Sequence, residues 1–269
     1  LVWLLAALSL VCAALLLFVW PQGWWIVGAA ALLLSQLAIV AAWKDARFGT
    51  IPNVILLLAV AYGFLLHGPF SLNLSYRKDV ARSLGNAENT NVLTESDLAH
   101  LPPLVKQYVR GSGAVGRPRV RNFRAHFRGK IRSAPGARWM PFTGEQVNTL
   151  EPPSRLFLMD ATMMGLPLQA YHRYVAANAT MRVKAVGMVN IVSQGGPVMD
   201  QSETVTIFND LCFFAPGGLI DPRITWAPLS DRAVHATYTN AGHTIHADLT
   251  FGATGDLVNF SSDDRPGLA

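Results

Sequence analysis

Two histidines and a carboxylate fall at alternate positions on neighbouring stretches of the chain, His235 in one and His246 with Asp248 in the next. If the stretches pair as a hairpin, the three side chains share a face, where they could hold a metal ion or form a His–Asp dyad that moves a proton. The spacings that mark zinc sites are missing, since the seven histidines form no H-E-x-x-H and the two cysteines no C-x-x-C. Polar residues on the solvent side of a sheet account for the same three with less. Glu203 is a further acid–base candidate, yet Asp200-Gln201-Ser202-Glu203 also has the spacing of a helix capping signature. There is no G-x-S-x-G elbow and no P-loop. Gly111 to Gly116 spells G-x-G-x-x-G, but it follows a predicted helix and precedes a predicted strand. A dinucleotide site needs the reverse order, so the segment reads as a helix end and turn, and no cofactor is expected.

A second group of residues points to binding rather than catalysis. Ten Lys or Arg and no acid lie between Asp97 and Glu145, five of them (Arg117, Arg119, Arg121, Arg124, Arg128) within twelve positions. From residue 120 the pattern alternates, with Phe123, Ala125, Phe127, Gly129 and Ile131 on one side and Arg124, His126, Arg128, Lys130 and Arg132 on the other. Guanidinium groups in such a row suit phosphate or carboxylate headgroups; cross-strand pairing with Glu145 or Glu151, or plain solvation, explains them equally. The apolar side, with Met163, Met164, Met181 and Met188 on later stretches, is most simply core, and a Met- and Phe-rich sheet face is also how a protein would line a cavity for acyl chains.

Positioning these residues takes a largely β domain. Strands are predicted at 120–132, 140–150, 155–161, 168–175, 181–192, 224–228, 232–240, 243–251 and 257–261. In the hairpin joined by Ala241-Gly242, a two-residue loop pairs Val234/Leu249, Ala236/Ala247 and Tyr238/Ile245 on one face and His235/Asp248, Thr237/His246 and Thr239/Thr244 on the other; a three-residue loop would mix the faces. Helices are expected around 77–84, from a capping box at Thr94-Glu95-Ser96-Asp97, again after Pro102-Pro103 with Gly111 as its left-handed cap, and from Asp200 to about Phe214. Many antiparallel strands with few helices make an α+β domain.

Before that domain the chain is of another kind. Residues 1–43 carry no Lys, Arg, Asp or Glu, and 48–76 carry none either. Residues 1–20 and 24–43 each match the roughly 20 residues that cross a hydrocarbon core, and 51–66 is a shorter third span. Trp20, Trp24, Trp25 and Trp43 sit at the ends of these runs, where indoles favour the headgroup level. The expected organisation is a membrane module at 1–67, a connector at 68–93 and an antiparallel α+β domain at 94–269. Overall, 51% of residues are hydrophobic and 14% charged, which excludes a disordered chain. Lys44 and Arg47 put the loop between the second and third spans in the cytoplasm by the positive-inside rule, so the domain is expected outside it. The net charge of +5 then suits anionic lipid headgroups better than nucleic acid.

The segments 101–108, 112–118, 139–146 and 240–244, with Trp43-Lys44-Asp45-Ala46-Arg47 nearer the start, resemble an uncharacterised bacterial family of membrane-anchored envelope proteins. The resemblance implies a multi-pass protein of the inner membrane with an extracytoplasmic domain, and no particular activity. Members of that family continue past residues 262–265, so the chain is expected to be part of a longer protein. At fold level alone, the order of elements resembles the half-barrel of periplasmic lipoprotein carriers. The expected function is non-catalytic binding of a membrane lipid, an acyl chain or a lipidated envelope partner, through Arg124, Arg128, Lys130, Arg132, Phe123, Phe127, Met163 and Met181. The alternatives are a hydrolase-type enzyme using His235, His246, Asp248 or Glu203, and a structural or interaction module.

Overall fold

The computed structural model describes residues 1–85, 91–132 and 134–265. Three apolar helices come first: α1 (Val2–Val19), α2 (Trp24–Ala41) and, after a short helix α3 (Trp43–Ala46) and a 3-10 turn at Arg47–Gly49, α4 (Thr50–His67). Each is long and apolar enough to cross a membrane. α1 buries only Ala6 and Ala13 and leaves Leu4, Leu8, Leu15 and Phe18 exposed, an outward face suited to hydrocarbon. Between α2 and α4 small residues and a polar clamp set the packing. A Cβ at Gly63 would lie 2.8 Å from the Cβ of Trp25. Buried Ser35 donates to Asn53 Oδ1 at 3.0 Å, and Asn53 Nδ2 donates to Gln36 Oε1 at 2.9 Å; both devices are typical of helix pairs in lipid.

α5 (Leu72–Leu84) then turns onto the domain. It starts five residues earlier than the sequence pattern marks, because the Ser71 side chain accepts from the Leu74 N–H at 3.1 Å and caps it. The rest of the expected connector includes 86–90, which lie outside the described residues. Leu72, Tyr76 and Val80 repeat every four residues and pack on Val147, Leu156, Leu158 and Tyr171. Asp79 fastens the helix by accepting from Tyr171 Oη at 2.8 Å and Arg173 Nε at 3.1 Å.

The capping box at Thr94 and Asp97 forms, on a single 3-10 turn (Glu95–Leu98). α6 (Pro103–Gly111) begins on Pro103 as expected. Its left-handed residue is Gly113 (φ 72°) rather than Gly111, which is still helical. The strands are β1 (Asn122–Ile131), β2 (Met140–Leu150), β3 (Pro153–Met163), β4 (Leu166–Val175), β5 (Asn178–Ala185), β6 (Val189–Gly195), β7 (Ile224–Ser230), β8 (Ala233–Asn240), β9 (His243–Phe251) and β10 (Leu257–Ser261). They make two antiparallel sheets, a meander β1 to β6 and a four-stranded sheet in the order β10-β9-β8-β7. One strand expected at 181–192 is two, since Val186 and Gly187 take positive φ and turn the chain back. The β8–β9 register is the expected one at every pair, with His235 opposite Asp248 and Thr237 opposite His246.

α7 (Pro197–Phe214) lies between the sheets. Its Met199, Phe208, Leu211 and Cys212 are packed with Tyr174 and Ala179 of the meander, Tyr238, Ile245 and Leu249 of the second sheet, and Leu98, Val105 and Val109 from the preceding turns. Phe208 stacks on Tyr238 with ring centres 5.1 Å apart. The helix is apolar on more than one side because it is covered on more than one side.

Candidate functional site

α7 runs across the strands of the meander at one end of the sheet. Near its start Asp200 Oδ1 accepts from the Ala179 N–H of β5 at 2.6 Å. In the middle, Glu203 and Asp210 both accept from Arg155 of β3, at 3.1 and 2.7 Å. At its end Phe214 meets Phe123 and Phe127 of β1 at 5.7 and 6.0 Å. The Asp200–Glu203 signature therefore does not cap this helix. Gly196 and Pro197 begin it, and both acids are spent on the sheet.

Under α7 lies a polar cluster that was not singled out from the sequence. Besides Arg155, Asp210 accepts from Gln146 Nε2 at 2.7 Å, Arg155 Nη2 donates to Gln146 Oε1 at 3.1 Å, and Gln146 donates to Asn148 at 2.9 Å. Arg155, Gln146, Asn148, Glu203 and Asp210 are all buried. His172 Nδ1, buried and 3.7 Å from Glu203 Oε1, has no hydrogen bond among the described residues. Burial alone would raise the Glu203 carboxyl, but His172, Arg155 and Arg265 override it and hold the group below its ordinary value. A legible signal was available. Glu203 and Asp210 stand seven apart, two turns on one helix face, and Gln146 and Asn148 are polar where their alternation partners Phe142 and Gly144 are not.

The cross-strand register turns this into a map of the face. Two rows lie beneath α7: Phe123–Asn148–Arg155–Tyr174–Ala179 and Ala125–Gln146–Phe157–His172–Met181. Beyond them come Phe127–Gly144–Met159–Ala170–Val183, then Gly129–Phe142–Ala161–Leu168–Ala185, then the pairs Ile131–Met140 and Met163–Leu166. The covered rows hold the polar residues, and every residue of the further rows is apolar. Met140, Phe142, Met159, Met163, Leu166 and Leu168 are partly or fully exposed, and none belongs to a core cluster. An open pocket of 680 Å³ lies at this end, bordered by Trp139, Met140, Pro141, Met163 and Met164.

The same end of the meander carries its hairpin tips, and there Trp139, Met164, Leu166, Met188, Val189 and Ile191 are exposed. Arg132 stands over the Trp139 ring at 4.7 Å. The tip at Gly187 touches α4: a Cβ there would be 3.0 Å from the backbone of Leu65, and Lys184 Nζ donates to the Phe70 carbonyl at 2.9 Å. The apolar end of the sheet is thus fixed beside the end of the last apolar helix.

The second sheet carries the histidines. His235 Nδ1 pairs with Asp248 at 2.7 Å, while His246 Nδ1 turns to Asp264 at 2.9 Å, and the two rings stack at 5.7 Å. The hairpin brings the three candidates together, but each histidine keeps its own carboxylate, and no group of three metal-ligating side chains occurs among the described residues. Glu203 faces the other sheet. Cys212 is buried, and burial pushes its thiol far above the ordinary value, which leaves it inert.

Both sheets and α7 come from the part of the chain that a family signature covers, residues 91–269. The chain belongs to DUF6544, a family of unknown function. No curated protein and no solved structure matches it. Within the DUF6544 region the binding residues expected from the sequence divide between the two faces of the meander. Phe123, Phe127, Met163 and Met181 share the face that α7 half covers. Arg124, Arg128 and Lys130 lie on the opposite face, where Arg124 pairs with Glu145 at 3.5 Å. Arg132 lies just past the strand.

Proposed function

We propose that this DUF6544 protein is a membrane-anchored binding domain that holds the acyl chain of a membrane lipid, or of a lipidated partner, on the uncovered end of its six-stranded sheet. One observation carries the reading: the charged and amide side chains of this face, Asn148, Arg155, Gln146 and His172 among them, all sit in the rows under α7, and the rows beyond α7 are wholly apolar. A folding core would distribute them the other way. Four residue steps along the strands and the four spacings between five strands give that face about 14 by 19 Å, at about 3.4 Å per residue and about 4.8 Å between strands.

The position of the face supports the same occupant. A chain moved from water onto the sheet gains about 0.8 kcal/mol per buried CH₂, but one drawn from a bilayer exchanges one apolar surrounding for another. Such a site works only where the chain need not cross water, and the contact of the Gly187 tip with α4 supports such a placement. Lys44 and Arg47 between the second and third helices support a cytoplasmic position for that connection, and the sheets then belong to the opposite side, away from nucleic acid. The test is native mass spectrometry of the detergent-extracted chain. We expect co-purified lipid on the wild type and its loss in Met159→Glu, which alters an open row and leaves the core alone. Wild-type protein without lipid would sink the proposal.

A further inference from the structure

The back of the same strands holds a second pocket, of 570 Å³, where the sheet meets the end of α4 and the start of α5. Tyr62, Leu66 and His67 form its helix side. Its sheet side holds the cross-strand row Arg128–Thr143–Asp160–Gln169, fixed by the register of β1 to β4, with Pro141, Thr162 and Pro167 beside it toward the strand ends. Opposite charges stand at the two ends of Arg128–Thr143–Asp160, about 10 Å apart at the backbone, with a hydroxyl between them. Neither charge is neutralised within the described residues: Arg128 has no ion pair there, and Asp160 accepts only the Gln169 amide, at 2.9 Å. His67 Nδ1 is buried at the same place with no hydrogen bond. A cation without an ion pair, an anion held only by an amide and a buried ring nitrogen without a hydrogen bond, gathered around an open cavity, call for a ligand that carries both signs.

Its location limits the ligand further. The helix wall is the last turn of an apolar helix, at the depth where headgroups sit if that helix spans the bilayer. Pro141 and Thr162 line this pocket and also the apolar pocket on the other side of β2 and β3, so the two cavities meet across the ends of those strands. We infer that the pocket binds the headgroup of a phospholipid bearing a primary ammonium, with the phosphate at Arg128, the ammonium at Asp160 and the acyl chain passing over the strand ends toward the open apolar rows. A headgroup with only negative charge would face Asp160 uncompensated, which sets the preference. The inference rests on the acyl-binding reading and names the lipid class it takes.

The experiment uses the full chain in nanodiscs of equal phosphatidylethanolamine and phosphatidylglycerol, extracted for native mass spectrometry. Wild type is expected to retain phosphatidylethanolamine over phosphatidylglycerol. Asp160→Asn should erase that preference by lowering retained phosphatidylethanolamine toward the level of phosphatidylglycerol. Arg128→Ala should lower retention of both lipids about tenfold, the size of one charge-assisted hydrogen bond. Both positions are exposed, so the variants keep the fold, and Arg124→Ala, on the same face but paired with Glu145, should behave as wild type. Lipid retained with no headgroup preference, with preference for phosphatidylglycerol, or with a preference that neither variant changes overturns the headgroup site and leaves acyl binding standing. Absence of any retained lipid removes the acyl-binding reading itself.

Discussion

At the scale of single residues, the decisive group is Arg155. It is one cation between two buried carboxylates, and removing it leaves Asp210 with amide donors alone and takes the guanidinium from Glu203, in a medium where an uncompensated charge is expensive. Arg155→Ala should therefore cost about 3–5 kcal/mol, as for other broken buried pairs, measured as a fall in the midpoint of chemical unfolding. A loss under about 1 kcal/mol would show that water reaches the cluster. Glu203 adds a pH signature. Its carboxyl is lowered from 4.5 in the folded chain, so the stability it contributes is fully present above that value and is lost as pH falls through the folded value. Glu203→Gln should flatten the acid limb of the stability profile. An unchanged limb would contradict the ion-pair assignment. The residue scale was also the least legible from sequence. His235, His246 and Asp248 were placed on one face correctly, because strand alternation fixes faces. That His246 would turn to Asp264, and that an arginine at 155 would meet acids 48 and 55 positions away, depends on how α7 lies across the sheet, which no local pattern encodes.

At the scale of elements, local chemistry was enough where it acted alone. The Ala241-Gly242 loop fixed every pair of the β8–β9 hairpin, since a slip by one residue would have exposed Val234, Ala236 and Tyr238. It failed at Val186-Gly187, where a non-glycine residue at positive φ (52° for Val186) breaks what reads as one long apolar strand. Only the charged part of α5 reads as helix, because its first turn, Leu72-Asn73-Leu74-Ser75, carries no charge and its cap is Ser71. The element on which coupling to the apolar helices depends is this helix with the Gly187 tip. Gly187→Val adds a branched side chain at φ 72°, against Leu65, and should raise hydrogen exchange in the β5–β6 hairpin while the second sheet stays protected. Equal protection in both would show that the tip does not bear on α4. Asn53→Leu removes the polar clamp between α2 and α4 and should weaken that pair by about 0.6–2 kcal/mol, read from unfolding in mixed micelles.

At the scale of the whole molecule, two surfaces of different polarity have been joined end to end. The first 67 residues expose apolar side chains on nearly every side, as suits a chain in lipid, and the sheets beyond gather exposed apolar side chains chiefly at the open rows and the hairpin tips. Reading composition by segment made the three apolar helices legible from sequence. The open rows were not, because apolar strand faces look alike whether a helix covers them or not. The central claim is that this end of the sheet meets lipid acyl chains. It is tested most directly by incorporating a phospholipid with a diazirine on its acyl chain, irradiating, and mapping the adducts by peptide mass. Labels are expected on β2 and β3, at Phe142, Met159 or Met163, in addition to the apolar helices. Labels confined to residues 1–67 would contradict it.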